Sequence, residues 1–254
     1  MRISAAAARL SLLVLVALCI PAASARAQAA APPPPPPPPP LTEGSAEFAF
    51  VGTTGNASTQ TIGIGGDYIY RPSPWETRLK VRYVRNEADD EVKAQSFLFS
   101  GRVQRALRDG LSGFGQYDYQ RDRFAGILNR NTVEGGVVYS AIDRAPQKLT
   151  VDASLGYANE KRLIGPDLSA GMFGTGAIYA LKISDTSQLD EDGHFVFSLA
   201  DSSDWRYANT VSVTAKLTTL LSLKVSNALR YVNEPVLGFK KTDLVTSIAL
   251  VAKF

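Results

Sequence analysis

The sequence is poor in the residues that usually carry chemistry. It has one cysteine, Cys19, and one histidine, His194, in 254 residues. Cys19 lies inside an apolar stretch near the amino terminus, so loss of that stretch leaves no thiol for a disulfide framework, a thiolate metal site or a nucleophile. Leu18 before it is not the small residue that lipid attachment requires. No apolar run reaches the roughly 18 residues of a membrane-spanning helix, and from Ser45 onward no window carries a 3.6-residue apolar stripe. A surplus of one charge is missing too. The formal balance is +3, and removal of Arg2 and Arg9 with a leader leaves 25 basic and 24 acidic residues. Such a chain has no basic footprint for nucleic acid, and no nucleic-acid partner is expected.

What is present begins with export. Arg2 and Arg9 flank an alanine-rich start, residues 10–20 are apolar, and Ala23-Ser24-Ala25 is an A-x-A cleavage site, with Ala25-Arg26-Ala27 as a second candidate. This pattern is a secretory signal peptide, too short and wrongly flanked to be an anchor helix. Nine prolines follow at 32–40. Without amide hydrogens and with φ fixed they favour an extended polyproline II rod of about 28 Å. The rod is either a spacer or ligand in the envelope, or a tolerated low-complexity linker. The expected organisation is a signal peptide over 1–25, a proline-rich linker over 26–44 and one domain over 45–254.

That domain repeats a period of two. The last thirteen residues place Phe254, Ala252, Leu250, Ile248, Thr246 and Leu244 on one face, with Lys253, Val251, Ala249, Ser247, Val245 and Asp243 on the other. The third alternating segment sets Trp75, Leu79, Val81 and Tyr83 against Glu76, Arg78, Lys80 and Arg82. Twelve such segments recur, separated by turn chemistry. Connections after even-numbered segments are tight, such as Arg108-Asp109-Gly110. Most after odd ones are longer and more charged, such as 87–93, 122–131, 159–169 and 233–241, the short 54–57 turn being the exception. Asn227 interrupts the apolar face of the eleventh segment, which implies either a bulge or a polar group facing outward.

Alternation fits a soluble sandwich as well as a membrane barrel, because it does not say which face points out. Lys and Arg in mid-segment, Gly-rich stretches, the aromatic carboxy terminus and the signal peptide together favour the barrel. In lipid, closure is what pairs every backbone amide. The expected fold class is therefore all-β: a closed antiparallel transmembrane β-barrel of about twelve strands in the outer membrane of a Gram-negative cell. Its expected partners are the outer-membrane lipid bilayer and, through the C-terminal strand, the barrel-assembly machinery.

Four stretches sharpen this: Thr54-Gly55-Asn56, residues 117–124 (YDYQRDRF), 183–187 (ISDTS) and 240–247 (KKTDLVTS). In this order they resemble the salt-induced outer-membrane protein family, the YdiY-like proteins, over the whole of 45–254. The resemblance implies an outer-membrane barrel of unestablished biochemical activity linked by name to salt response, and it supplies no catalytic or binding residues. The nine prolines, the acidic stretch 188–194 (QLDEDGH) and Ala252 in place of an aromatic depart from it.

No enzyme, cofactor or metal site is expected. His194 has Ser198 four residues downstream, and these two do not share a functional pair. Asp190 and Asp192 share its parity, but the expectation is a solvated residue beside a turn on the periplasmic side. Candidate lumen-lining residues are Arg78, Lys80, Arg82, Arg102, Lys182, Lys216, Lys224 and Arg230, opposed by Glu47, Asp67, Asp118, Glu134 and Asp152. Three cations in alternate positions of the third segment would favour anions if they lined a pore for small ions or solutes. Opposite charges pairing across a narrow lumen would plug it instead. A twelve-stranded barrel permits both, and a third role, a non-conducting envelope anchor or scaffold using the proline rod, stays open beside them.

Overall fold

A computed structural model describes residues 39–53, 59–88 and 91–254. The signal peptide, most of the proline segment and the 54–57 turn lie outside these residues. Twelve strands follow one another: β1 Thr42–Thr53, β2 Thr59–Tyr70, β3 Trp75–Ala88, β4 Glu91–Arg108, β5 Leu111–Asp122, β6 Ile127–Arg144, β7 Gln147–Arg162, β8 Leu168–Lys182, β9 Ser187–Ser198, β10 Trp205–Lys216, β11 Leu221–Val232 and β12 Thr242–Lys253. Each pairs antiparallel with the next, and β12 returns to β1, so the sheet is a closed barrel. A 3-10 turn at Arg123–Ala125 joins β5 to β6. Among the described residues no helix is long and apolar enough to cross a membrane.

The alternation resolves in one sense. Ile64, Leu79, Val133, Leu155, Val225 and Ile248 are exposed on the outside. Their neighbours in the chain face inward, where Ser154, Ser212 and Ser222 are buried beside Phe114, Val138 and Met172. An apolar outside around a mixed, largely polar inside is the transmembrane arrangement, since each strand offers side chains to lipid at every second position. Aromatic rings bracket the outer band. Towards the ends of β9, β10 and β11, Trp205 stacks on Tyr231 with centroids 4.8 Å apart and meets Phe195 at 5.7 Å. At the end that holds both barrel termini, Tyr70, Trp75 and Phe254 are exposed.

Closure is concentrated at the terminal end. Ser45 to Phe48 pair with Lys253 to Leu250. Beyond them Gly44 N–H donates to the Phe254 carbonyl at 2.8 Å, and Phe254 N–H returns to Gly44 at 3.0 Å. The Phe254 ring lies in the space a side chain on residue 44 would need, so glycine there lets the terminal aromatic seat on the first strand. Gly136 has the same kind of role on the opposite side. A methyl group there would run into the Ala153 carbonyl and the Phe114 ring, so β6 and β7 can close up only around glycine.

Several strands run past the ends that alternation suggests. β4 and β6 have 18 residues each, well beyond the roughly 9–11 needed to cross a bilayer at a tilt. The stretches 87–93 and 122–131 are accordingly mostly strand rather than loop. β1 begins at Thr42 rather than Ser45. The acidic stretch from Gln188 to His194 forms the body of β9, paired residue for residue with β8 and β10. Nor does Asn227 mark a bulge. The β11–β12 register runs through it unbroken, and its Nδ2 donates to Thr246 Oγ1 on the neighbouring strand at 2.9 Å. Asn209 likewise donates to Glu191 at 3.0 Å. Pairing across strands is how polar groups on such a face avoid the cost of an unmet hydrogen bond.

Candidate functional site: the barrel lumen

The inward faces enclose a cavity of about 640 Å³ that touches β2 to β12. Eight of the residues expected in the lumen line it: Asp67, Arg78, Lys80, Arg102, Asp118, Glu134, Asp152 and Arg230. Arg82 and Lys224 sit elsewhere on the wall. Lys224 Nζ donates to Glu47 at 2.8 Å, bridging β11 to β1 across β12, while Arg82 reaches Asp67 at 2.5 Å and Glu47 at 3.9 Å. This chain of charges ties together the strands on both sides of the seam. Lys182 and Lys216 do not belong to the cavity. Both are exposed at the terminal rim, where Lys182 pairs with Asp185 in the turn at 2.9 Å.

The three basic residues of β3 are therefore not an unopposed ladder. Arg78 pairs with Glu76 at 2.5 Å and Arg82 with Asp67, while Lys80 forms no ion pair among the described residues. Parity alone could not show this, because Glu76 and Glu47 become partners only when register and side-chain reach are known. Across β4 and β5, the Arg102 guanidinium lies 3.5 Å above the centre of the Phe114 ring and donates to Gln116 Oε1 at 3.2 Å. Gln116 in turn donates to Asp118 at 2.8 Å. Arg102 is within electrostatic reach of Asp152, Glu134 and Asp118, yet no ion pair with any of them forms among the described residues.

The floor beneath these carboxylates is glycine. Gly174 and Gly176 face inward on β8, and polar side chains from both neighbouring strands lie down over them. A methyl group at 176 would sit 2.9 Å from Asp152 Oδ1 and 3.2 Å from His194 Nδ1. One at 174 would sit 2.7 Å from Ser154 Oγ and 3.5 Å from His194 Cε1. The imidazole thus lies along the wall, with Asp152 near one nitrogen and Ser154 towards the other side. This corrects the expected place of His194: it is inside a strand and inside the lumen, not beside a turn. Its neighbour over the glycine floor is Ser154, two strands away on β7, and not Ser198. Ser154 is buried and donates to Glu134 Oε2 at 2.8 Å. Among the described residues no group of three or more His, Cys, Asp or Glu could hold a metal ion.

The end with the longer connections is built differently. Glu160, near the end of β7, is 1% exposed and collects three arginines: Arg162 at 2.7 Å, Arg206 at 2.8 Å and Arg130 at 3.6 Å. Asp204, in the 199–204 connection, lies 3.5 Å from Arg206 Nε, and neither of its oxygens has a hydrogen-bond partner. Burial pushes its carboxyl above the ordinary aspartate range, against the pull of Arg130. Arg230 on β11 reaches Asp122 on β5 at 3.1 Å. The 233–241 connection buries Val236 and brings Phe239 against Gly126, where a methyl group would sit 2.6 Å from the Phe239 ring. Gly126 has φ of 72°, a left-handed conformation that glycine adopts at little cost. β11 and β12 face β5 and β6 across a ring of twelve strands, so this connection lies over the mouth. The sequence pattern does not reveal this cluster, because 159–169 and 233–241 read as long charged connections, whereas β7 runs on to Arg162. Glu160 does share the parity of Asp152 and Ser154 once β7 is extended.

These features agree with what comparison finds. A family model described as a protein of unknown function, DUF481, matches residues 46–254. The chain belongs to this family. No curated protein sequence matches it. Among solved structures, the DUF481 barrel is similar to an outer membrane channel from Pseudomonas putida F1 at 9% identity and a TM-score of 0.51, covering 84% of this chain and 95% of that one. It is also similar to the NanC porin at 8% identity and a TM-score of 0.50, covering 83% of this chain and 98% of that one. At such identities the likeness is one of fold, and the fold is that of outer-membrane barrels.

Proposed function

We propose that this DUF481 barrel resides in the outer membrane of a Gram-negative cell, reached by way of its signal peptide, and serves as a narrow channel for small polar solutes or ions. The observation that carries the reading is the lumen cavity, lined by charges that do not cancel in pairs. Lys80 and Arg102 on β3 and β4, and Asp118, Glu134, Asp152 and Asp192 on β5, β6, β7 and β9, form no ion pair among the described residues. A plugged barrel would bring such groups together, because leaving them apart forgoes the attraction that offsets their desolvation. With more free carboxylates than free cations, the waist favours cations weakly, in place of the anion preference that β3 alone suggested. No enzymatic step enters this reading. The Ser154 hydroxyl donates to Glu134 and not to a histidine base, so it is not poised as a nucleophile. The salt-response role rests on the family resemblance, and transcript levels after a rise in NaCl test it.

Single-channel recording of the refolded mature protein in a planar bilayer under a KCl gradient tests conduction. Discrete openings with a cation-biased reversal potential, diminished in the Asp152→Asn variant, are expected. A well-folded protein that stays silent at every salt concentration would sink the channel reading. The closed-over mouth, with Val236 and Phe239 against Gly126, favours a second reading in that event: a non-conducting anchor that presents the proline segment to envelope partners. Assembly through the last strand has its own test. Deleting Phe254 removes the ring seated on Gly44 and both hydrogen bonds of that pair, and is expected to slow insertion by the barrel-assembly machinery in reconstituted vesicles.

A further inference from the structure

Arg102 and the carboxylates of β6 and β7 hold an unusual relation: they feel one another and do not touch. Arg102 is held on the face of Phe114, which itself fills the space above Gly136, so the guanidinium is fixed from below by packing. Its one hydrogen bond is to the neutral Gln116. Asp152 lies over the Gly176 floor with no hydrogen bond to its carboxylate among the described residues, and His194 lies over the same glycine. Glu134 is held by Ser154 and keeps its remaining lone pairs free. Lys80 adds a second free cation on the same side as Arg102. The glycine floor keeps the side chains low, and the cavity above is open.

An anion alone in this space gains from Arg102 and loses against three carboxylates. A cation alone does the reverse. A neutral solute gains neither attraction. A solute with one charge of each sign, separated by a few bonds, satisfies both sets of charges at once and completes the ion pairs that the fold leaves apart. We propose that the lumen waist is a binding subsite for small zwitterions of the amino-acid type, with the ammonium group directed to Asp152 and Glu134 and the carboxylate to Arg102 and Lys80. The proposal builds on the channel reading by naming its solute class, but the subsite can exist in a barrel that does not conduct.

Glycine and its neutral isomer glycolamide have the same atoms and nearly the same size, so they separate charge recognition from sieving. In liposomes carrying the refolded mature protein, radiolabelled glycine is expected to leave several-fold faster than glycolamide. That ratio is expected to fall to about one in Asp152→Asn and in Arg102→Gln, and to stay unchanged in Lys216→Gln, which lies at the rim. Heat-modifiable gel mobility confirms that each variant is folded. Equal rates for the two isomers in the wild type, or a ratio that neither waist substitution moves, overturn the proposal. If neither solute passes, calorimetry of glycine with the detergent-solubilised barrel decides: saturable binding lost in Asp152→Asn upholds the subsite while the channel reading fails, and absence of binding sinks both.

Discussion

The mouth and the waist of this barrel are built from the same residue types and behave in opposite ways. At the mouth, Glu160 is surrounded by Arg130, Arg162 and Arg206, Arg230 reaches Asp122, and an apolar connection covers the rest. At the waist, Arg102, Lys80, Asp118 and Asp152 stand apart, held there by an aromatic face, an amide and a glycine floor. Charges that meet make a wall rigid and closed, while charges kept apart leave the wall available to a solute. The difference lies in support. The mouth is assembled from strand ends and connections whose side chains can converge. At the waist, the side chains spring from mid-strand positions on neighbouring strands, where an aromatic face and a glycine floor hold them apart.

The comparison breaks most sharply at Glu160. Glu160→Gln leaves three partly buried guanidinium groups around a neutral amide, and a loss of about 3 kcal/mol is expected in urea unfolding followed by gel mobility. Replacing both Val236 and Phe239 by alanine comes next. Lost burial amounts to about 2–4 kcal/mol for the connection itself, which releases it from the mouth. Single-channel conductance should then rise while the waist-dependent ion preference stays as it was. If conductance does not change, the mouth is not the constriction.

Asp204 gives a smaller effect with a definite sign. Its folded carboxyl is raised above the ordinary value of 3.8 by burial. The fold therefore favours the protonated acid, and the stability this contributes is complete below the ordinary value and lost as pH rises through the raised one. Asp204→Asn keeps a neutral side chain at every pH. It should match the wild type in acid and exceed it at neutral pH, and unfolding midpoints across the pH range check this. The smallest expected change in stability belongs to Asp152→Asn, within about 0.5 kcal/mol, because no hydrogen bond or ion pair is broken. A large destabilisation there would show that Asp152 supports the wall rather than serving a solute.

Much of the architecture was readable because a membrane barrel has a simple code. A period of two over segments of about ten residues is sufficient to count twelve strands and to assign Leu79 and Val81 to one face and Lys80 and Arg82 to the other. Strand ends were harder to read. Residues such as Glu91, Arg130 and Glu160 are polar and sit above the apolar band, so they read as loop although the ladder continues through them. His194 was misplaced for a related reason: the acidic run before it resembles a turn, but acidic side chains on every second residue suit a lumen wall.

The sequence by itself determined the alternation and, taken with the signal peptide, the mid-strand cations and the aromatic terminus, pointed to a closed barrel, because backbone amides in lipid have no partner other than a neighbouring strand. It also determined which residues share the inner face. Only the tertiary structure decided which inner charges meet. Closing the sheet sets β11 against β5 and β1 beside β12, and contact between Arg230 and Asp122, or its absence between Arg102 and Asp152, depends on curvature, packing and reach across the lumen. Parity along a strand contains no information on distances across a barrel, so the paired charges of the mouth and the unpaired charges of the waist became distinguishable only in three dimensions.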